Sequence, residues 1–290
     1  MRPIHYIFCL SVCFFSIVSA DPLDGYWQQH VTYDMEIILH DSVQQLAGKT
    51  TLRYTNNSPD SLDRIYLHLY PNAFQLESVK HREYIGNAGR ASRAKYFKDK
   101  LEGFTSKIEV HEFTVAKKRE PFLKDYSIDD TILEARLLQK LAPGESMRVD
   151  LSWTHHVGEQ IERAGYVDDQ YNAAQWYPKL VVYDEKGWHN DPFHAGGEFY
   201  GEFGTFDVTL DLPEKYIVGG TGVVTSGNPG WKNVEVDTSI NFMEWLKSYQ
   251  KNKIQLDSSA RRVVMFHAER VHDFAWIASP TFLYENGNWN

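Results

Sequence analysis

The chain has 290 residues and a net charge of −9, so it offers no basic face on which to gather phosphates, and nucleic acid is excluded as a partner. Both cysteines, Cys9 and Cys13, lie among residues 1–20, and everything after them lacks a thiol. That excludes a disulfide framework, a thiolate zinc site and a cysteine nucleophile, and leaves stability to the apolar core alone. The remaining length is ample for one large β domain or two smaller ones.

Residues 1–20 read as a signal peptide. Arg2 and His5 give a short polar start, Tyr6 to Val18 is apolar, and Val18-Ser19-Ala20 supplies the small residues a signal peptidase needs. The apolar run is too short to span a bilayer, so the expectation is an exported protein, periplasmic or secreted, with no membrane span. Cys13 is preceded by Val12, which argues against a lipoprotein signal.

From Val31 onward the pattern is that of strands. Residues 31–39 alternate polar and apolar with β-branched and aromatic enrichment, 41–48 read as a turn, and 49–55 alternate again. Asn56-Asn57-Ser58-Pro59-Asp60 is a turn signal before a third strand over 64–70, and the spacing predicts an antiparallel meander or one sheet of a sandwich. The charged stretch from Gln75 to Gly103 has no clean period and predicts a short helix near 91–101; Lys80 to Lys100 and Lys117-Lys118-Arg119 read as solvated loops. Further strands are predicted over 106–115, 131–138, 147–153, 203–212, 216–224 and 262–268, with a tight turn at Pro143-Gly144. Ile240, Met243, Trp245, Leu246 and Tyr249 recur at helical spacing and predict a helix over 239–251. The fold class expected is therefore mainly β, and 8 Trp, 17 Tyr and 16 Phe supply the large cross-strand pairs such sheets use.

The chemistry is harder to find. His111-Glu112 is followed by Phe113-Thr114-Val115, so the helical zinc motif HExxH is absent. His155 and His156 are adjacent on a strand and point to opposite sides of it. His189, Asp191 and His194 could in principle hold a metal, but no regular element fixes their spacing, and the expectation is that no metal ligand lies in this chain. There is no Gly-x-Ser-x-Gly elbow. The acidic pairs Asp129-Asp130, Asp168-Asp169 and Asp184-Glu185 read as solvated turns, and Gly219-Gly220-Thr221-Gly222 as a β-bulge rather than a phosphate loop.

Four segments together carry a resemblance. They are Leu62-Asp63-Arg64-Ile65-Tyr66-Leu67-His68-Leu69-Tyr70-Pro71-Asn72-Ala73-Phe74, the run from Gln175-Trp176-Tyr177-Pro178 to Gly187-Trp188, the run from Glu198-Phe199-Tyr200-Gly201 to Pro213, and Phe266 to Pro280. In that order they resemble the N-terminal domain of aminopeptidase N-like zinc metallopeptidases. The resemblance implies a saddle-shaped β domain over 21–283 that caps the active site of a thermolysin-like zinc domain, with 284–290 the start of that second domain. It implies peptide as the substrate, bound jointly with a catalytic zinc domain absent from this chain. Zinc, HExxH and the exopeptidase loop would all belong to that absent part, so this chain by itself is expected to be non-catalytic and to hold no cofactor. The family's N-terminal domain lends one Gln or Glu that holds the amino end of the substrate. Gln175 matches that position, with Gln170 and Asn172 as rivals. The alternative is a stand-alone secreted module that binds peptides or glycans on its aromatic surfaces.

Overall fold

The computed structural model describes residues 25–86, 106–160, 162–231, 237–253 and 260–284. The signal-peptide reading of 1–20 and the helix expected near 91–101 lie outside them.

The alternation from Val31 does what period-two burial requires. Val31, Tyr33, Met35, Ile37 and Leu39 on strand β1 (His30–His40) are all buried, while His30, Asp34, Glu36 and His40 face outward. A short 3-10 turn at Asp41–Val43, closed by Gln44 in the left-handed region, returns the chain antiparallel into β2 (Gln45–Thr55). The turn is shorter than the sequence predicts, and the second strand starts earlier.

The third strand does not continue a meander. β3 (Leu62–His68) crosses to another sheet because Ile65, Tyr66, Leu67 and His68 are buried on both faces, which a half-solvated meander strand cannot be. β4 (Lys107–Lys117) returns to the first sheet and pairs through the short β5 (Glu120–Pro121) with its own continuation. β6 (Leu123–Asp129) and β7 (Ile132–Leu141) form a hairpin beside β3, and β8 (Ser146–His156) then packs between β2 and β4.

Five short strands follow: β9 (Gly165–Val167), β10 (Gln170–Ala173), β11 (Lys179–Leu180), β12 (Tyr183–Asp184) and β13 (Gly187–Trp188). β14 (Gly204–Pro213) lies parallel to β1, and this is the parallel pairing in an otherwise antiparallel eight-stranded sheet. The strand expected over 216–224 is two strands in two sheets. β15 (Ile217–Gly220) pairs with β18 (Trp276–Ser279), whereas β16 (Val223–Gly227) pairs with β17 (Arg261–Val271). Between them Gly222 has φ +84, and a Cβ there would sit 2.1 Å from the His267 carbonyl oxygen. The glycine run is therefore the crossing point between sheets, and the ladder irregularity falls instead between Val224 and Ser226.

The large sheet runs in the order β16-β17-β14-β1-β2-β8-β4-β5; two four-stranded sheets and the β12–β13 pair accompany it around one shared core. Between the layers Trp153, Trp176, Tyr177, Phe206 and Phe274 are all but fully buried, each withdrawing about 150–250 Å² from water. Trp153 fits because its strand partner is Gly48: a Cβ on Gly48 would lie 2.2 Å from the indole ring. The indole N–H donates to Thr50 Oγ1 at 3.1 Å, so the buried polar atom is satisfied. Two helices are described, Val79–Gly86 and Phe242–Lys253; the first has no clear apolar stripe in the sequence, and the second begins three residues later than its pattern predicts. Among the described residues no helix is long and apolar enough to cross a membrane.

Candidate functional site

In the irregular stretch between β8 and β14, one carboxylate gathers several partners. Asp273 accepts the phenol hydrogen of Tyr177 at 2.8 Å and the side-chain amide of Gln175 at 3.0 Å, and its Oδ1 also takes the Phe274 backbone N–H at 2.8 Å. Lys179 Nζ lies 3.3 Å from its other oxygen, on a side chain that is 2% exposed. Trp176 completes the junction by donating its indole N–H to the Phe274 carbonyl at 2.9 Å. Segments 175–179 and 273–274, both taken from the stretches that carry the family resemblance, are thus knotted together.

Burial pulls the Lys179 ammonium below the usual lysine range, and the neighbouring Asp273 opposes that shift. Gly201 closes over it: a Cβ at that position would come within 2.6 Å of Lys179 Nζ and 2.5 Å of the His272 carbonyl. Burial likewise raises the Tyr177 phenol well above its ordinary value. The knot is therefore a desolvated ion pair whose carboxylate oxygens are hydrogen-bonded while the Lys179 ammonium has no hydrogen-bond partner.

Gln175 has φ 49, a left-handed backbone rarely adopted outside glycine. That conformation, held by the Asp273 bond, puts the residue on the wall of a narrow cleft. Glu159 and Glu162 line the same cleft, and Tyr70, Phe74, Phe193 and Phe199 give it aromatic sides. The rivals for Gln175 do not reach it. Neither is among the residues that line the cleft: Gln170 donates to Asn172 Oδ1 at 3.1 Å and Asn172 donates to Gln160 Oε1 at 2.6 Å.

Lys80 is the largest departure from the sequence reading. Expected in a solvated loop, it is 2% exposed, with Nζ 2.8 Å from Glu162 Oε2 and 4.2 and 4.1 Å from the ring centres of Phe74 and Phe193. Two aromatic faces and a carboxylate replace the water the ammonium gives up, although burial still lowers its pKa. Tyr84 donates a further hydrogen bond to Glu162 at 3.3 Å. No periodicity marked Lys80, because its partners come from three separate stretches of the chain.

Ser106 and His155 meet at 2.9 Å on the cleft wall. Burial pushes His155 down to about 3, so the imidazole stays uncharged and is too weak a base to activate a hydroxyl near neutrality. As expected of adjacent strand residues, His155 is buried while His156 faces the other side of the sheet. The acidic pairs take structural parts: Asp130 accepts the Val79 N–H at 2.6 Å, where the first helix begins, and Asp169 binds Lys215 at 3.2 Å. His111 is tied to Thr154 Oγ1 at 2.8 Å across a bulge.

His189, Asp191 and His194 line a second cleft, but the two imidazoles turn to different carboxylates: His189 lies 2.7 Å from Asp184 and His194 2.6 Å from Glu83. These residues do not fit a zinc ion, and among the described residues no group of three or more His, Asp or Glu side chains is arranged to hold a metal. Nearby, Glu202 is buried, and desolvation pushes its carboxyl up to about 7 against the opposing hydrogen bonds from the backbone of Phe203 and Gln29.

No protein-family model and no curated protein matches the sequence. Among solved structures, the chain is similar to an M1 zinc metallopeptidase from Deinococcus radiodurans, a point variant with a bound Tyr-Ser-Ala substrate, at 12% identity and a TM-score of 0.46. That match covers 87% of this chain and 42% of the other. It is also similar to a two-domain M1 zinc metallopeptidase variant bound to L-tryptophan, at 13% identity and a TM-score of 0.44 over 87% of this chain and 43% of that one. The chain thus spans less than half the length of these structures.

Proposed function

We propose that this chain is the N-terminal, non-catalytic β domain of an exported zinc-dependent aminopeptidase, and that it caps the substrate site of a catalytic zinc domain lying outside residues 1–290. The observation that carries this reading is Gln175. It is a polar residue held in a costly backbone conformation, its amide anchored by Asp273, on the wall of a cleft that also presents Glu159 and Glu162. A carboxamide oxygen beside Glu159 suits the protonated amino end of a peptide, since an ammonium has three donors and no acceptor, while Glu162 is engaged by Lys80 and Tyr84. In this role the domain binds and orients, and excludes water from one side. Zinc, when present in the whole protein, would supply the activated water from the other domain.

The test is a calorimetric titration of the full chain with Tyr-Ser-Ala and with its N-acetylated form. The free-amine peptide is expected to bind and the acetylated one to lose most of that affinity, with Gln175→Ala weakening the first and leaving the second unchanged. Equal affinity for both peptides would sink the reading, and so would aminoacyl hydrolysis by this chain that survives chelation.

A further inference from the structure

The second cleft, about 450 Å³, shares Tyr70, Phe193 and Phe199 with the first. We propose that it receives the cationic side chain of a basic residue, arginine or lysine, in a peptide whose amino end lies at Gln175. This rests on the peptide-holding role just described and adds to it a substrate class.

Charge is the first reason. Asp191 and Glu198 line the cleft, both exposed, and its lining includes no lysine or arginine. Asp184 and Glu83 add two further carboxylates behind the imidazoles of His189 and His194. Lys179, opposite His68 in the strand pairing, lies 3.3 Å from Asp273, although its Nζ makes no hydrogen bond and its charge still bears on His68.

The second reason is the wall. Within this chain two cations already sit on its rings, Lys80 on Phe193 at 4.1 Å and Arg163 on Phe199 at 5.2 Å. Ring faces that attract an internal ammonium and guanidinium will attract an incoming one at whatever area they still expose.

The third is an unmet polar atom. His68 lines the cleft, is 5% exposed, and its Nδ1 has no hydrogen-bond partner. Its ring is stacked on Tyr70 at 4.5 Å and 14°. A buried imidazole nitrogen left unpaired is unfavourable until a ligand or a water meets it. Burial also holds His68 uncharged, with its pKa down to about 3, so it accepts a hydrogen bond without repelling a cation.

The full chain should be titrated with three tripeptides that share a free amino end: Ala-Arg-Ala, Ala-Ala-Ala and Ala-Glu-Ala. Ala-Arg-Ala is expected to bind about fivefold more tightly than Ala-Ala-Ala, as for one partly exposed cation–π contact with carboxylate support, and Ala-Glu-Ala most weakly. The double variant Asp191→Asn, Glu198→Gln changes only exposed side chains. It should abolish the preference for arginine and leave Ala-Ala-Ala binding as it was. Equal binding of the arginine and alanine peptides, with Gln175→Ala weakening both, overturns the cation site and leaves the peptide-holding role standing. An arginine preference that survives the double variant places the cation elsewhere and also overturns it. Failure of every peptide to bind removes both.

Discussion

The eight-stranded sheet and the segment from Gly158 to Gly201 lie against each other but are ordered by different means. In the sheet, each strand announces itself: inward residues such as Val31, Tyr33 and Met35, or Phe206, Val208 and Leu210, recur at period two, and neighbouring strands satisfy the backbone. In the segment the strands are two to four residues long, and order comes from side chains far away in sequence, Asp273 above all. The sheet is held by burial distributed over dozens of residues. The segment shares that core through Trp176, Tyr177 and Leu180 and adds a few polar contacts, each of which matters separately.

Two substitutions of comparable cost should behave differently on that account. Trp153→Ala, which empties the space above Gly48, is expected to lower stability by about 3–5 kcal/mol as a global effect, read from the urea midpoint. Asp273→Ala, which strands Lys179 without a partner, is expected to lose a similar ~3–5 kcal/mol, but with amide exchange accelerated first around Gln175 to Leu180. If exchange accelerates uniformly in both variants, the two regions are one cooperative unit and the contrast fails.

Glu202 gives a pH handle on the same border. Its carboxyl is raised to about 7 in the folded chain from an ordinary value of 4.5, so the folded state favours the protonated form. That contribution is complete below about 4.5 and is lost as pH rises toward 7, on the order of 3 kcal/mol. Glu202→Gln should therefore flatten the stability profile between these values relative to the parent chain. A parallel pair of profiles would show that Glu202 is not desolvated in solution.

The smallest effect is the most diagnostic. Gln175→Gly relieves the left-handed backbone by about 1 kcal/mol and loses a hydrogen bond of about the same worth, so the urea midpoint should move by less than about 0.5 kcal/mol equivalent. Peptide binding should nevertheless fall as it does in Gln175→Ala. A large loss of stability would make the residue a structural strut.

The same contrast explains what could be read in advance. Strands β1, β4, β7, β8, β14 and β17 are found to within a few residues by alternation alone. The sheet to which each belongs is not, because β3, buried on both faces, and the 217–227 stretch, bent at Gly222, carry local patterns that suit either sheet. At the site, Gln175 was reached through resemblance. Lys80, Glu162 and Asp273 were not, since a buried ion pair leaves no trace in periodicity; its partners are 82 and 94 residues apart.

The parallel pairing of β1 with β14 has a consequence in time. β1 meets β2 almost as soon as both are made, yet its other edge, Val31 to Ile38, waits for Gly204 to Asp211 to be synthesised. Until then that edge is an open row of backbone donors and acceptors beside a fully apolar face, the kind of template that captures strands from other molecules. Nascent chains halted before Gly204 should therefore depend on holdase chaperones, and those halted after Val271, where β17 has covered β14, should not.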